Sequence, residues 1–132
     1  MRAYKVIHRR TRLGFNAALY IKARGTKNLM KIIEKYGLEP YFPRYEKGAV
    51  VKKVPNSIGI MAFETYEHAE GCVRAYYLER SAAIIEVKGR LCKISAGKLV
   101  TPGVADFPLN LKKRRRAYPM NGTLFFDHLI VI

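Results

Sequence analysis

Acidic residues, cysteines and long apolar segments are all scarce in this chain, and each shortage excludes a class of protein. Ten Asp and Glu residues stand against 25 Lys and Arg, which gives a formal net charge of +15 at pH 7. No apolar run approaches the ~20 residues of a transmembrane helix, so no membrane span is expected. The two cysteines, Cys72 and Cys92, fall on different predicted elements, and the opening residues lack a signal-peptide pattern. These features predict reduced thiols in an intracellular protein that is not secreted.

Motifs typical of enzymes and metal sites are missing from the sequence. It has no Gly-x-x-x-x-Gly-Lys-Ser/Thr, Gly-x-Gly-x-x-Gly, Gly-x-Ser-x-Gly or His-Glu-x-x-His segment. There is no Cys-x-x-Cys pair, and His8, His68 and His128 are scattered, so neither a metal site nor a cofactor is predicted. Asp127 and His128 are adjacent on a predicted strand and point to opposite faces, so they do not form a catalytic dyad.

A strand–helix–strand unit between residues 54 and 87 organises the rest of the chain. The run Ile58–Phe63 is apolar and uncharged, as in a strand buried on both faces. Thr65 is a suitable N-cap for a helix over residues 66–79, along which apolar residues recur at helical spacing. Residues 83–87 then form a second short strand.

Other elements can be assigned on both sides of this unit. Residues 3–9 alternate as a first strand, and residues 26–36 form a helix that Gly37 ends. Residues 13–22 suit either a strand or a helix, with a preference for a strand. Residues 122–132 form a long closing strand that is apolar on both faces, which is typical of the middle of a sheet.

These assignments predict an α+β fold. We expect one domain over residues 1–132, with an antiparallel or mixed sheet of about five or six strands and two helices. The residues expected to be buried are Val6, Ile32, Ile60, Phe63, Val73, Ile85 and Ile130. In the closing strand, strict alternation places Leu124, Phe126, His128, Ile130 and Ile132 on one face, with Phe125, Asp127, Leu129 and Val131 on the other.

The positive charge occurs in bunches and favours a polyanionic partner, namely nucleic acid, an anionic membrane or an acidic protein. A surface that serves only solubility is the alternative. Five basic residues follow one another at 112–116 and, because like charges resist burial, should be exposed. The predicted nucleic-acid-binding residues are Arg9, Arg10, Arg12, Lys112, Lys113, Arg114, Arg115 and Arg116. These two segments would converge if the first and last strands are neighbours.

Two weaker patterns also have a binding interpretation. Lys27, Lys31 and Lys35 repeat along one face of the first helix, as either a solvated face or a stripe that faces phosphates. Aromatic residues between 41 and 45 lie among basic ones, either stacking bases or covering the edge of the core. The aromatic residues in question are Tyr41, Phe42 and Tyr45.

Five segments in order carry a resemblance to known proteins. They read AYKVIHR, YEKG, PNSIGIMAFETYEHAE, AAIIEVKG and YPMNGTLFFDHLIVI. This set resembles a group of small uncharacterised proteins of phages, archaeal viruses and microbes. The resemblance covers most of the chain from Ala3, poorly over residues 10–40, and implies a fold more than an activity. The expected function is a nucleic-acid- or polyanion-binding accessory protein of a virus or mobile element. A role as a virion assembly protein is a second alternative, and the sequence leaves open whether the protein forms a homo-oligomer.

A fainter likeness is to the ADP-ribosyltransferase core, so a divergent or degenerate transferase is the enzyme alternative. In that likeness His8 takes the first position and Tyr66 the second. The late Glu of that core has no counterpart, since Glu86 comes too early and Asp127 is the only acid in the closing strand. If the alternative holds, His8 and Tyr66 should line one pocket with a carboxylate.

Overall fold

The computed structural model describes residues 1–14, 26–37, 39, 42–53, 59–92, 99–102, 114–117 and 122–132. The helices and strands in these ranges are β1 (Arg2–His8), α1 (Thr26–Tyr36), β2 (Val50–Lys52), β3 (Ile60–Phe63), α2 (Tyr66–Ala75), β4 (Ala82–Leu91), β5 (Leu99–Pro102), β6 (Arg114–Ala117) and β7 (Thr123–Val131). This arrangement confirms the α+β class. None of the described helices is long and apolar enough to cross a membrane. The segment 13–22, for which the sequence suited either a strand or a helix, lies mostly outside the described residues.

Five strands form one antiparallel sheet that partly closes on itself. Their order is β2-β7-β3-β1-β4, and β4 also pairs with β7. β1 and β4 pair along the whole of β1, whereas β1 and β3 meet only at Tyr4 opposite Phe63. Of these two pairings of β1, the one with β3 is therefore by far the shorter. β5 and β6 form a separate antiparallel pair.

Two apolar cores lie on the two sides of β1. Ala3 and Ile7 face the interior of the closed sheet, where they pack with residues of the other strands. Val6 points the opposite way, toward α2. The interior core comprises Ala3, Ile7, Tyr45, Val51, Ile60, Ala62, Val87, Phe126, Leu129 and Val131. The second core, under α2, comprises Val6, Phe63, Ala69, Cys72, Val73, Leu78 and Ala82.

α2 begins as predicted but ends earlier. The Thr65 side chain accepts a hydrogen bond from the backbone N–H of His68 at 3.1 Å, which confirms Thr65 as the N-cap. The helix stops at Ala75, four residues before the expected end at residue 79. Tyr77 has φ +56°, and this left-handed conformation turns the chain away from the helix axis.

β7 lies in the middle of the sheet, as its apolar character predicted, but it does not alternate regularly. Arg90 of β4 faces His128, whereas the next residue, Leu91, faces Phe126. Asp127 is therefore an extra residue on β7, which is the arrangement of a β-bulge. Such a residue reverses the alternation of the side chains that follow it.

The bulge explains why one predicted core residue is exposed. Phe126 before the bulge and Leu129 and Val131 after it all face the interior core. Ile130 is consequently turned outward and is 40% exposed, so its predicted burial is wrong. Of the other predicted core residues, Val6, Ile60, Phe63 and Val73 are buried, and Ile32 and Ile85 are half-buried. Met61 is also exposed, so β3 is not covered on both faces throughout.

Gly89 is required where β4 approaches β7. It pairs with Leu129, and a Cβ atom at this position would overlap the carbonyl oxygen of His128 and lie 2.8 Å from the Leu129 Cα. We expect Gly89→Ala to lower the free energy of unfolding by about 1–3 kcal/mol, because backbone atoms must move apart. Urea denaturation followed by circular dichroism measures the change.

Gly71 provides the matched control, since a Cβ atom there would meet nothing within 4 Å. Gly71→Ala lies inside α2 and should raise stability by about 0.5–1 kcal/mol. If Gly89→Ala is as stable as the unmodified protein, the close β4–β7 approach is wrong.

Candidate nucleic-acid interface

Arg9 is engaged in holding two turns together. Its backbone N–H donates to the Ser81 carbonyl at 2.8 Å, and its Nη2 donates to the carbonyls of Glu79 and Ala82 at 3.3 and 2.9 Å. The turn after β1 is thereby fixed to the turn before β4. Arg10, the next residue, is exposed.

Arg12 also has a structural role. Its Nε donates to the Tyr45 carbonyl at 3.0 Å and lies 3.4 Å from a carboxylate oxygen of Glu46. Tyr45 itself is buried, as is Phe42. The stacking interpretation is therefore wrong for these two aromatic residues, which cover the core, and Tyr41 lies outside the described residues.

The basic run at 112–116 is described only in part. Arg114, Arg115 and Arg116 lie on β6, where Arg115 is paired with Thr101. Lys112 and Lys113 are outside the described residues. Binding by this run stays a prediction.

The condition under which the two predicted basic segments would converge, namely that β1 and β7 are neighbours, is not met. β1 and β7 are not neighbours, since β3 lies between them on one side and β4 on the other. Both are antiparallel to β3, so they run in the same direction, and the end of β1 and the start of β7 point opposite ways. Consistently, the Gly122 carbonyl accepts from Glu64 N–H just before α2, whereas Arg9 contacts Ser81 beyond the other end of α2. α2, which lies between these two contacts in the chain, has ten residues and is about 15 Å long.

The structure also keeps His8 and Tyr66 apart. Tyr66 is exposed and packs edge-on against Tyr4, with ring centroids 5.9 Å apart. His8 lies four residues beyond Tyr4 on β1, about 13 Å along the strand. It is buried, and its Nδ1 accepts the Thr11 N–H at 3.2 Å. Burial, followed by the charge of Arg10, lowers the pKa of His8.

A different group of basic side chains is aligned on the outer face of the closed sheet. Lys52 of β2 pairs with His128 of β7, and His128 pairs with Arg90 of β4. Directly paired residues project from the same face, so these three side chains form one row across three strands. All three are exposed. Adjacent strands lie about 4.8 Å apart, so the row spans about 10 Å.

A second row runs beside the first. Lys88 pairs with Arg2 on one side and with Ile130 on the other, and Ile130 pairs with Val50. Arg2, Lys88, Ile130 and Val50 are all exposed, and Val50 is 62% exposed. We call the basic side chains of both rows the basic sheet face: Arg2, Lys52, Lys88, Arg90 and His128.

Two carboxylates partly compensate the charge of this face: Glu86 contacts Arg2, and Asp127 lies close enough to Arg90 for their charges to interact. Arg2 forms an ion pair with Glu86 at 3.1 Å. Within the described part of the chain, Lys52, Lys88 and Arg90 have no ion-pair partner. Lys52 and Lys88 lie in segments of the chain that are rich in basic residues, but no sequence pattern brings these two residues together. The available signal was the alternation of Lys88 and Arg90 with uncharged residues, which indicates a strand with one basic face.

Cys92 lies beside this face but is not activated as a nucleophile. Its Sγ donates to Asp127 Oδ1 at 3.4 Å, and Lys53 Nζ lies 3.3 Å from the same oxygen. The hydrogen bond from Lys53, then that from Cys92, lowers the pKa of Asp127. Burial, then the contact with Asp127, raises the pKa of Cys92, so the thiol stays protonated.

Comparisons of this chain with protein-family models, curated protein sequences and solved structures found no match. Among the described residues, no three His, Cys, Asp or Glu side chains are grouped so that they could hold a metal ion.

Lys5 is a buried cation in the same closed sheet. It shares a face of β1 with Ala3 and Ile7, and it is only 6% exposed. Its Nζ lies 5.3 Å from the centre of the Tyr45 ring, and no described carboxylate forms an ion pair with it. Burial outweighs the small opposing effect of Cys72 and lowers the pKa of Lys5 from 10.5 to about 8.

This lowered pKa predicts a particular pH dependence of stability. Between about pH 8 and 10.5 the unfolded chain keeps a proton on Lys5 that the folded protein has lost, so stability rises with pH. Below pH 8 the folded protein bears the full cost of the buried charge. Lys5→Met should therefore raise the free energy of unfolding at pH 7 by up to about 3 kcal/mol and abolish this part of the rise. Urea denaturation from pH 6 to 10.5 measures both.

The control is Lys47→Met, which removes an exposed lysine. It should leave the stability and its pH dependence unchanged. An equal rise with pH in the unmodified protein and in Lys5→Met would contradict the prediction, since other titrating groups are common to both.

Proposed function

We propose that the protein binds nucleic acid through contacts between the basic sheet face and the phosphate backbone. The observation that carries this proposal is the row Arg90–His128–Lys52, in which two exposed cations flank an imidazole and lack ion-pair partners among the described residues. Lys88 and Arg2 extend the same face. In view of the resemblance in the sequence, we assign this binding to an accessory protein of a virus or mobile element.

The sheet fixes the spacing of these cations before any ligand arrives. β4 and β7 pair over five positions, so the backbone beneath the two rows is held by hydrogen bonds on both sides of β7. Side chains on such a scaffold lose only their own rotamer freedom on binding. Arg90 can hold a phosphate with two N–H groups, whereas the lysines act as point charges.

Contacts of this kind release counterions and read no base sequence. Affinity should therefore fall steeply with salt and vary little with sequence. The two exposed aliphatic residues in the second row, Val50 and Ile130, add an apolar surface beside the cations. That surface suits sugars and base faces.

Three triple variants locate the binding surface. We expect Lys52→Ala/Lys88→Ala/Arg90→Ala to weaken binding and to reduce the salt slope by about 0.9 per lost duplex phosphate contact, or about 0.7 for a single strand. Fluorescence anisotropy with oligonucleotides of about 20 nucleotides, from about 50 to 200 mM salt, measures both. The melting temperature should change little, because exposed charges contribute little to stability.

The matched controls remove the same number of charges elsewhere. Lys27→Ala/Lys31→Ala/Lys35→Ala strips the exposed stripe of α1, and Arg114→Ala/Arg115→Ala/Arg116→Ala strips the run on β6. Equal losses in all three variants would mean that net charge alone acts. A larger loss for the β6 variant would move the site there. If the unmodified protein does not bind nucleic acid at low salt, the proposal is wrong.

A further inference from the structure

Tyr77 occupies a backbone position that normally holds glycine. The Leu78 N–H donates to the Val73 carbonyl at 2.8 Å, and the Tyr77 N–H donates to the Arg74 carbonyl at 3.2 Å. This is the Schellman arrangement that ends many helices, and it puts its central residue in the left-handed region. Tyr77 accordingly has φ +56°. Residues with a Cβ atom are strained there, and glycine is not.

The Tyr77 side chain gains nothing within the fold that would offset this strain. It is 88% exposed, and it forms no ring contact or hydrogen bond within the described part of the chain. Arg12 gives the contrast, because it is the other non-glycine residue described with positive φ. Its guanidinium is anchored to the Tyr45 carbonyl and to Glu46. A bulky exposed ring at a strained glycine position is therefore unexplained by folding.

Three exposed arginines lie in the turns next to Tyr77. Arg74 lies in the last turn of α2 and Arg80 in the turn that follows, and both are exposed. Arg10 is exposed in the neighbouring turn, which the Arg9 N–H joins to Ser81. None of the three has an ion-pair partner among the described residues, although Glu79 is exposed nearby.

We propose that Tyr77 is a stacking platform for an unpaired nucleobase, with Arg74, Arg80 and Arg10 holding the flanking phosphates. Aromatic rings among cations bind single strands in this way, because every base has a π-face and the cations follow the backbone. The ring stands free of the fold, so a base can cover it without displacing a neighbour. This inference rests on the proposed binding of nucleic acid and adds a second surface, which is selective for unpaired nucleotides.

The ring and the basic sheet face are separate surfaces. Arg2 and His8 stand at the two ends of β1, six residue steps apart, which corresponds to about 20 Å of strand. Substitutions at Tyr77 therefore leave the cation rows intact. Loss of base stacking and loss of phosphate contacts can be measured independently.

Tyr77→Gly and Tyr77→Phe test the proposal. We expect Tyr77→Gly to raise the melting temperature by about 2–4 °C, because the strain is relieved. It should weaken binding of a single-stranded oligonucleotide about 10-fold or more and leave duplex binding unchanged. Tyr77→Phe keeps the ring and should bind like the unmodified protein. Crosslinking of a 5-iodouracil oligonucleotide should map to Tyr77.

The control is Tyr66→Ala, which removes an exposed ring from the opposite end of α2, between Glu64 and Glu67. It should leave single-strand binding unchanged. If Tyr77→Gly binds single strands as tightly as the unmodified protein, Tyr77 is not a stacking platform and its ring serves another partner. If that variant still binds duplexes in a salt-dependent way, the proposed role of the basic sheet face is unaffected. If the unmodified protein binds neither form, both proposals fail.

Discussion

Pairing of β7 along both of its edges is the interaction on which the rest of the fold depends. β3 and β2 lie one after the other along one edge, and β4 lies along the other. Without the β4–β7 pairing the sheet would stay open, and the interior core would lose one wall. The close approach of the two strands leaves no room for a side chain at Gly89. The same enclosure surrounds Lys5 and disfavours its charge.

Closure of the sheet also sorts the charges. One face of each strand is taken by the interior, so cations at alternate positions of β2 and β4 must project outward. The register then aligns them across β7 into the two rows of the basic sheet face. At the other end of the molecule, Arg9 and Arg12 donate to backbone carbonyls, so part of the positive charge there supports turns.

Local features of the sequence predicted the elements well, and the relations between distant segments poorly. The bounds of α1 and the N-cap Thr65 follow from residues close in the chain, and both predictions are confirmed. The bulge at Asp127 leaves no local mark, because apolar residues stand on both sides of it. The end of α2 was missed since the left-handed position holds Tyr77, where a glycine would have marked it. The basic sheet face depends on the register of three segments, which no local pattern encodes.

The position of β7 in the chain order shapes how the fold can assemble. β1, β3 and β4 precede it, yet the interior core needs Phe126, Leu129 and Val131 from it. Contacts between such distant segments slow folding, because long loops must close before the contacts form. During synthesis the apolar faces of the earlier strands therefore stay uncovered until residue 131 has left the ribosome. The interior core cannot be complete before β7 has been synthesised.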